Sequence, residues 1–149
     1  PIAIRNYKDL KLLKNTKSVI LKLSKKYLII VITNQPDVSR GKNSRKNVAK
    51  INSELLKILP INKVYTCYSS NDKNFMRKPN PGMIFKAKKQ FNINIKKSFV
   101  VGDSYKDIVA GKRANCKTIL LKKKYNNAEL SQPDFAVDKF NEILNIIKV

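Results

Sequence analysis

The chain of 149 residues contains no histidine. That one absence excludes imidazole general bases, Ser-His-Asp and Cys-His nucleophile arrangements, and His-containing metal sites. Cysteine is scarce as well. Cys67 and Cys116 are too few for a disulfide framework or a four-cysteine zinc site. A single buried disulfide stays open beside the expectation of two reduced thiols in a cytoplasmic protein. There is no run of 18 apolar residues to span a membrane as a helix, and the first residues carry no signal-peptide core. What remains is 42% apolar, with no low-complexity tract. That composition suits a globular protein, expected as a single domain over residues 1–149.

Acidic residues are the next shortage: 10, against 32 basic ones, for a net charge of +22. Such a balance first suggests a nucleic acid or another polyanion. The kind of cation argues otherwise. Lysine supplies 27 of the 32 and arginine only five, and asparagine and isoleucine each occur 17 times. These are the amino acids that an AT-rich genome favours. Recognition of phosphates and bases would enrich arginine, whose planar fork binds bidentately. The lysines are also scattered (Lys8, Lys11, Lys14, Lys17, Lys22, Lys25, Lys26), as on solvated helix faces. Nucleic acid is therefore weighed below compositional drift.

Apolar runs alternate with amphipathic stretches. Leu28–Ile32 is β-branched and uninterrupted, which suits a strand buried on both faces. Residues 64–68, 98–102 and 118–121 repeat the pattern, and Phe135–Val137 adds a last short strand. Between them the spacing predicts helices: one capped by Asn15 or Thr16, one by Ser44, and one opened by Asn80 as cap with Pro81 in first position. Tyr105–Arg113 is predicted as a short helix ended by a left-handed Asn115, and a C-terminal helix carries Phe140, Ile143, Leu144 and Ile147. This alternation means an α/β fold with a doubly wound parallel sheet, whose ligands sit beyond the carboxyl ends of the strands.

Polar residues do converge on those ends. The first strand runs into Thr33-Asn34-Gln35, whose hydroxyl and amide can donate to a phosphate oxygen or simply cap a turn. Arg77-Lys78-Pro79-Asn80-Pro81-Gly82 places two cations before a helix N-terminus, an arrangement that attracts anions unless the pair is merely solvated. Phe99-Val100-Val101 ends in Gly102-Asp103-Ser104-Tyr105-Lys106-Asp107. Two carboxylates one helical turn apart suit Mg2+, although Asp103 or Ser104 serves equally as an N-cap. Together, a hydroxyl, a lysine and a carboxylate on three strand ends describe a phosphate held beside a divalent metal, with Thr33, Lys78 and Asp103 expected around one pocket.

In order and spacing these motifs resemble the haloacid dehalogenase (HAD) superfamily of phosphatases, over about residues 5–121. Ile30–Gln35 is similar to its second motif, Arg77–Met83 to its third and Val101–Ile108 to its fourth. The resemblance implies that Thr33 holds the transferred phosphoryl group, Lys78 neutralises charge, and Asp103 binds Mg2+ with Asp107 near it. Thr33-Asn34-Gln35, Ser39-Arg40-Gly41 and the Arg-Lys-Pro-x-Pro-Gly-Met string look like the branch of the heptose-bisphosphate and histidinol-phosphate phosphatases. There Arg77 is expected to contact substrate, with Asn34 and Arg40 as further substrate-binding candidates. A small phosphorylated metabolite is the implied partner, a minimal cap or none the implied architecture, and a monomer is favoured.

Two departures stand out. The branch commonly has a Cys-x-His…Cys-x-Cys zinc loop before Arg-Lys-Pro; here the positions read Cys67-Tyr68-Ser69 and Asn74-Phe75-Met76. No structural zinc is expected, and the shortened loop is expected to hold by packing. The family's first motif, Asp-x-Asp-Gly-Thr, supplies nucleophile and general acid, yet no two acids of this chain are separated by one residue. With Pro1 in first place, the expectation is an N-terminal truncation of roughly 15–30 residues that removes a central strand. The chain as given is expected to be inactive. A catalytically degenerate HAD-like binding domain and a nucleic-acid-associated, 3′-phosphatase-like protein are the alternatives.

Overall fold

Each expected apolar run becomes a strand, displaced by at most two residues. In the computed structural model, which describes residue 4, residues 6–124 and residues 128–149, the strands are β1 (Ile30–Asn34), β2 (Lys63–Cys67), β3 (Phe99–Gly102), β4 (Lys117–Leu121) and β5 (Phe135–Val137). The helices are α1 (Thr16–Leu23), α2 (Arg45–Ile58), α3 (Gly82–Phe91), α4 (Tyr105–Arg113) and the single turn α5 (Ile143–Ile146). Every strand pairing is parallel: β1 with β2, β3 with β4, and β4 with β5. The α/β class therefore stands. The chain groups into two compact units, residues 1–70 with 149, and residues 71–148.

In the first unit α2 makes the crossover from β1 to β2, and Ile30 lies opposite Lys63 through to Asn34 opposite Cys67. Ser44 caps α2 as predicted, its hydroxyl accepting from the Asn47 amide at 3.1 Å. Val19, Leu23, Val48, Ile51, Leu59, Tyr65 and Cys67 form its buried apolar set. β1 differs from expectation. It starts two residues late and takes in Thr33 and Asn34, while Leu28 lies outside it, half exposed. All five of its residues are half-buried, not buried on both faces. The reason is its place: among the described residues β1 pairs on one side only. Asn15 also departs from its predicted part. It precedes α1 in a left-handed conformation and makes no side-chain cap.

In the second unit β4 is the central strand and is buried from Thr118 to Leu121, which is where an uninterrupted apolar run belongs. Helix α4 packs on β3 and β4. Thr118 is a fully buried polar residue and is satisfied by Asp134, whose carboxylate accepts from its amide at 2.7 Å and its hydroxyl at 2.8 Å. Asn115 is left-handed (φ 61°) just past α4, as the sequence predicts. The C-terminal helix is shorter than predicted: a 3-10 turn at Phe140–Glu142 precedes α5. It buries Ile143 and Ile147. Among the described residues no helix is long and apolar enough to cross a membrane.

Candidate active site

The β3–α4 turn is built by its own sequence. Gly102 closes the strand, and a Cβ there would run into the carboxylate of Asp107, so only glycine lets that side chain fold back over the strand end. Ser104, not Asp103, caps α4, accepting from the Lys106 amide at 3.1 Å. Asp107 completes the capping box, accepting from the Ser104 amide at 3.2 Å. Asp103 is the exposed carboxylate at the tip.

Lys78 comes to this turn from the preceding string. Its ammonium lies 2.5 Å from Asp107 Oδ1, with the two side chains only 12% and 13% exposed. Both oxygens of Asp107 are thus engaged, one by Lys78 and one by the backbone. Asp107, the carboxylate that the sequence sets near Asp103 for a metal, thus also holds Lys78. Hard carboxylate oxygens on one turn still match Mg2+ in kind, since that ion takes one or two protein carboxylates and completes its shell with water and phosphate. Among the described residues no three His, Cys, Asp or Glu side chains gather into a group that could hold a metal ion.

Arg77, next to Lys78, is buried, and its Nε donates to Asp72 at 2.9 Å. Asn80 is not the predicted helix cap. Pro81 takes that place, α3 starts at Gly82, and the Asn80 side chain turns back onto the string. There it donates to the carbonyls of Asp72 and Asn74, each at 2.9 Å. Polar bonds, and not packing alone, hold this loop. Phe75 of the loop stacks on Phe85, with ring centroids 6.2 Å apart.

In the first unit Thr33 and Asn34 are the last two residues of β1, where the sequence placed them in the turn just after it. The Thr33 hydroxyl accepts from Gln35 Nε2 at 3.2 Å, which fixes its rotation. Arg40 sits on the following turn, half exposed and 3.9 Å from Asp37, a contact too loose and too wet to hold it in one position. Sequence reasoning passed over Gln35, Asp72 and Arg113 as contributors. For Gln35 a signal existed, its position two residues after a site threonine. For the Asp72–Arg77 and Asn80–Arg113 pairs none did.

A family model described as HAD-hydrolase-like matches residues 75–143. The chain is 32% identical over 133 residues to the D-glycero-alpha-D-manno-heptose-1,7-bisphosphate 7-phosphatase of Campylobacter jejuni, covering 85% of this chain and 74% of that protein. The chain belongs to the HAD superfamily, in the branch of the heptose-1,7-bisphosphate 7-phosphatases. A second member, the D-glycero-beta-D-manno-heptose-1,7-bisphosphate 7-phosphatase of Helicobacter pylori, is 34% identical over 117 residues, 74% of this chain and 64% of its own length. Among solved structures, the D,D-heptose 1,7-bisphosphate phosphatase from B. bronchiseptica, complexed with magnesium and phosphate, aligns with a TM-score of 0.83 at 18% identity. That alignment covers 97% of this chain and 87% of the other, and it shows a shared fold.

Proposed function

We propose that this chain carries the phosphate-handling part of a Mg2+-dependent phosphomonoester hydrolase acting on a small sugar phosphate of the heptose-bisphosphate kind. The observation that carries the proposal is the Lys78–Asp107 pair: a lysine drawn in to 2.5 Å from a capping carboxylate and nearly removed from solvent. A lysine held beside an acidic strand tip offers a fixed positive charge to an incoming phosphoryl group.

In this mechanism the Thr33 hydroxyl donates to a phosphoryl oxygen, Lys78 neutralises charge that develops during transfer, and Arg77, with Asn34 and Arg40, binds substrate oxygens. Asp103, with Asp107 near it, would hold Mg2+, which when bound would neutralise charge on the phosphate. The reaction runs through an aspartyl-phosphate. None of the ten acids stands in an Asp-x-Asp pair, so residues 1–149 alone hold no candidate for the attacking carboxylate and its acid partner.

The test measures phosphate release from both anomers of heptose 1,7-bisphosphate with Mg2+. The 149-residue chain alone is expected to give no turnover. The same chain joined in frame to a strand carrying Asp-x-Asp is expected to release phosphate, and Lys78→Met within that longer protein to abolish release. Sustained inactivity of the well-folded, extended protein would favour the second reading, a phosphate-binding domain without catalysis, for which the missing Asp pair is the specific support. Comparison of the two anomers also decides which form of the sugar the site accepts, since the C. jejuni and H. pylori relatives are named for different ones.

A further inference from the structure

The string from Asp72 to Asn80 delivers both Arg77 and Lys78, yet it holds no histidine or cysteine: the chain has no histidine, and its two cysteines stand at 67 and 116. Both are free and buried. The structure shows what organises the string instead. Asn80 spends its whole amide on it, donating to the carbonyls of Asp72 and Asn74 at 2.9 Å each and accepting from the Arg113 guanidinium at 3.0 Å. Arg113 also donates to the Pro79 carbonyl at 3.3 Å. Asp72 in turn accepts from Arg77 Nε at 2.9 Å, and the Arg77 side chain is only 5% exposed. Asp107 stands in the first turn of α4 and Arg113 in its last. The two are about 9 Å apart along the axis at 1.5 Å per residue. One helix therefore grips the string at two points, Lys78 and the Pro79–Asn80 pair.

We propose that Asn80 is a positioning residue. With Arg113 and Asp72 it forms a metal-free lock that fixes Arg77 and Lys78 before an anion arrives. An anion site whose cations are already ordered spends less conformational entropy on binding. Asparagine is specified at 80 because both amide protons face carbonyls while the amide oxygen faces a cation. Aspartate there keeps the size, loses both donors and sets a negative charge against two carbonyl oxygens. That the held anion is a phosphate rests on the proposed function; the lock itself does not.

The test follows the Arg77 Nε–H signal in 1H–15N spectra of the full chain, assigned by Arg77→Lys among only five arginines. The wild-type signal is expected to exchange slowly with water and to be unchanged by a strong zinc chelator. Asn80→Asp and Arg113→Ala are each expected to speed that exchange on the order of tenfold, through local opening of the string. Arg113→Lys, which retains a donor, is expected to restore part of the protection. Titration of the same samples with inorganic phosphate is expected to show affinity lowered several-fold by Asn80→Asp.

Val48→Ala, a buried change in the other unit, controls for general loss of stability. Equal acceleration in that variant, no change in Asn80→Asp, or sensitivity of the wild type to the chelator would each overturn the lock. A protected Arg77 signal that responds to Asn80→Asp in a protein blind to phosphate supports the lock and refutes the phosphate site.

Discussion

At the scale of single residues, the ion pair of Lys78 and Asp107 and the hydroxyl–carboxylate pair of Thr118 and Asp134 make opposite demands. The first is almost buried, so each charge depends on the other for the solvation it has lost. Asp107→Asn is expected to cost about 3 kcal/mol in urea unfolding, because it removes the charge paired with a nearly buried ammonium and weakens the cap of α4. Replacing both, as Lys78→Met with Asp107→Leu, is expected to recover most of that loss while abolishing phosphate binding, since buried ion pairs add little net stability over an apolar pair. Failure of the double variant to recover would mean that the pair exists for the fold. Asp134 lies on the exposed side. The Thr118 hydroxyl, then the Thr118 amide, and to a smaller degree Lys112, hold its carboxyl below the ordinary carboxylate range. A depressed folded-state pKa contributes stability above the unfolded value and loses it as pH falls through the folded one. Asp134→Asn is expected to cost about 1 kcal/mol at neutral pH, discounted for exposure, and nothing at the acid end. A cost that is equal at both pH values would refute the assignment.

At the scale of elements, the sequence marks what depends on local pattern and misses what depends on neighbours. The positions of Thr33, Lys78 and Asp103 at element ends are legible because each stands near the end of an apolar run or in a proline-flanked string. Ser44 and the extent of α4 followed from capping chemistry. The solvation of β1 did not, because Ile30–Ile32 reads the same whether a strand pairs on one side or two; β4, with equal apolarity and two partners, is buried as the rule demands. Asn80 was misassigned for a similar reason. Asparagine before proline is a good cap in isolation, and only the carbonyls of Asp72 and Asn74 draw its side chain the other way. The β3–α4 turn allows a direct check of such reasoning. Gly102→Ala places a methyl where the Asp107 carboxylate now lies. The expected result is a loss of about 2–3 kcal/mol, the range of overpacking, together with weakened phosphate binding as Asp107 releases Lys78. An alanine variant with unchanged stability and phosphate affinity would show that Asp107 has room to move.

At the scale of the whole molecule the net charge of +22 sets the terms. So large an excess of one sign repels itself in the compact state, and salt relieves the repulsion. Individual ion pairs respond the other way, because screening weakens attraction as well. With 32 cations to 10 anions the repulsive pairs must outnumber the attractive ones, and they extend over distances that the Debye length governs. That length shrinks from about 30 Å to about 8 Å between 10 mM and 150 mM salt. The melting temperature is therefore expected to rise by roughly 2–4 °C across that range of sodium chloride, equivalent to about 1 kcal/mol for a chain of this size. Sodium phosphate at matched ionic strength is expected to raise it further, because a ligand bound only by the folded state adds stability by mass action. Lys78→Met should remove the extra increment and keep the chloride response. That separation decides between the two uses of positive charge in this chain: a diffuse excess that salt alone satisfies, and one cation placed for phosphate. A melting temperature that falls with chloride would show local ion pairs outweighing the excess, and an increment from phosphate that survives Lys78→Met would locate the anion elsewhere on the basic surface.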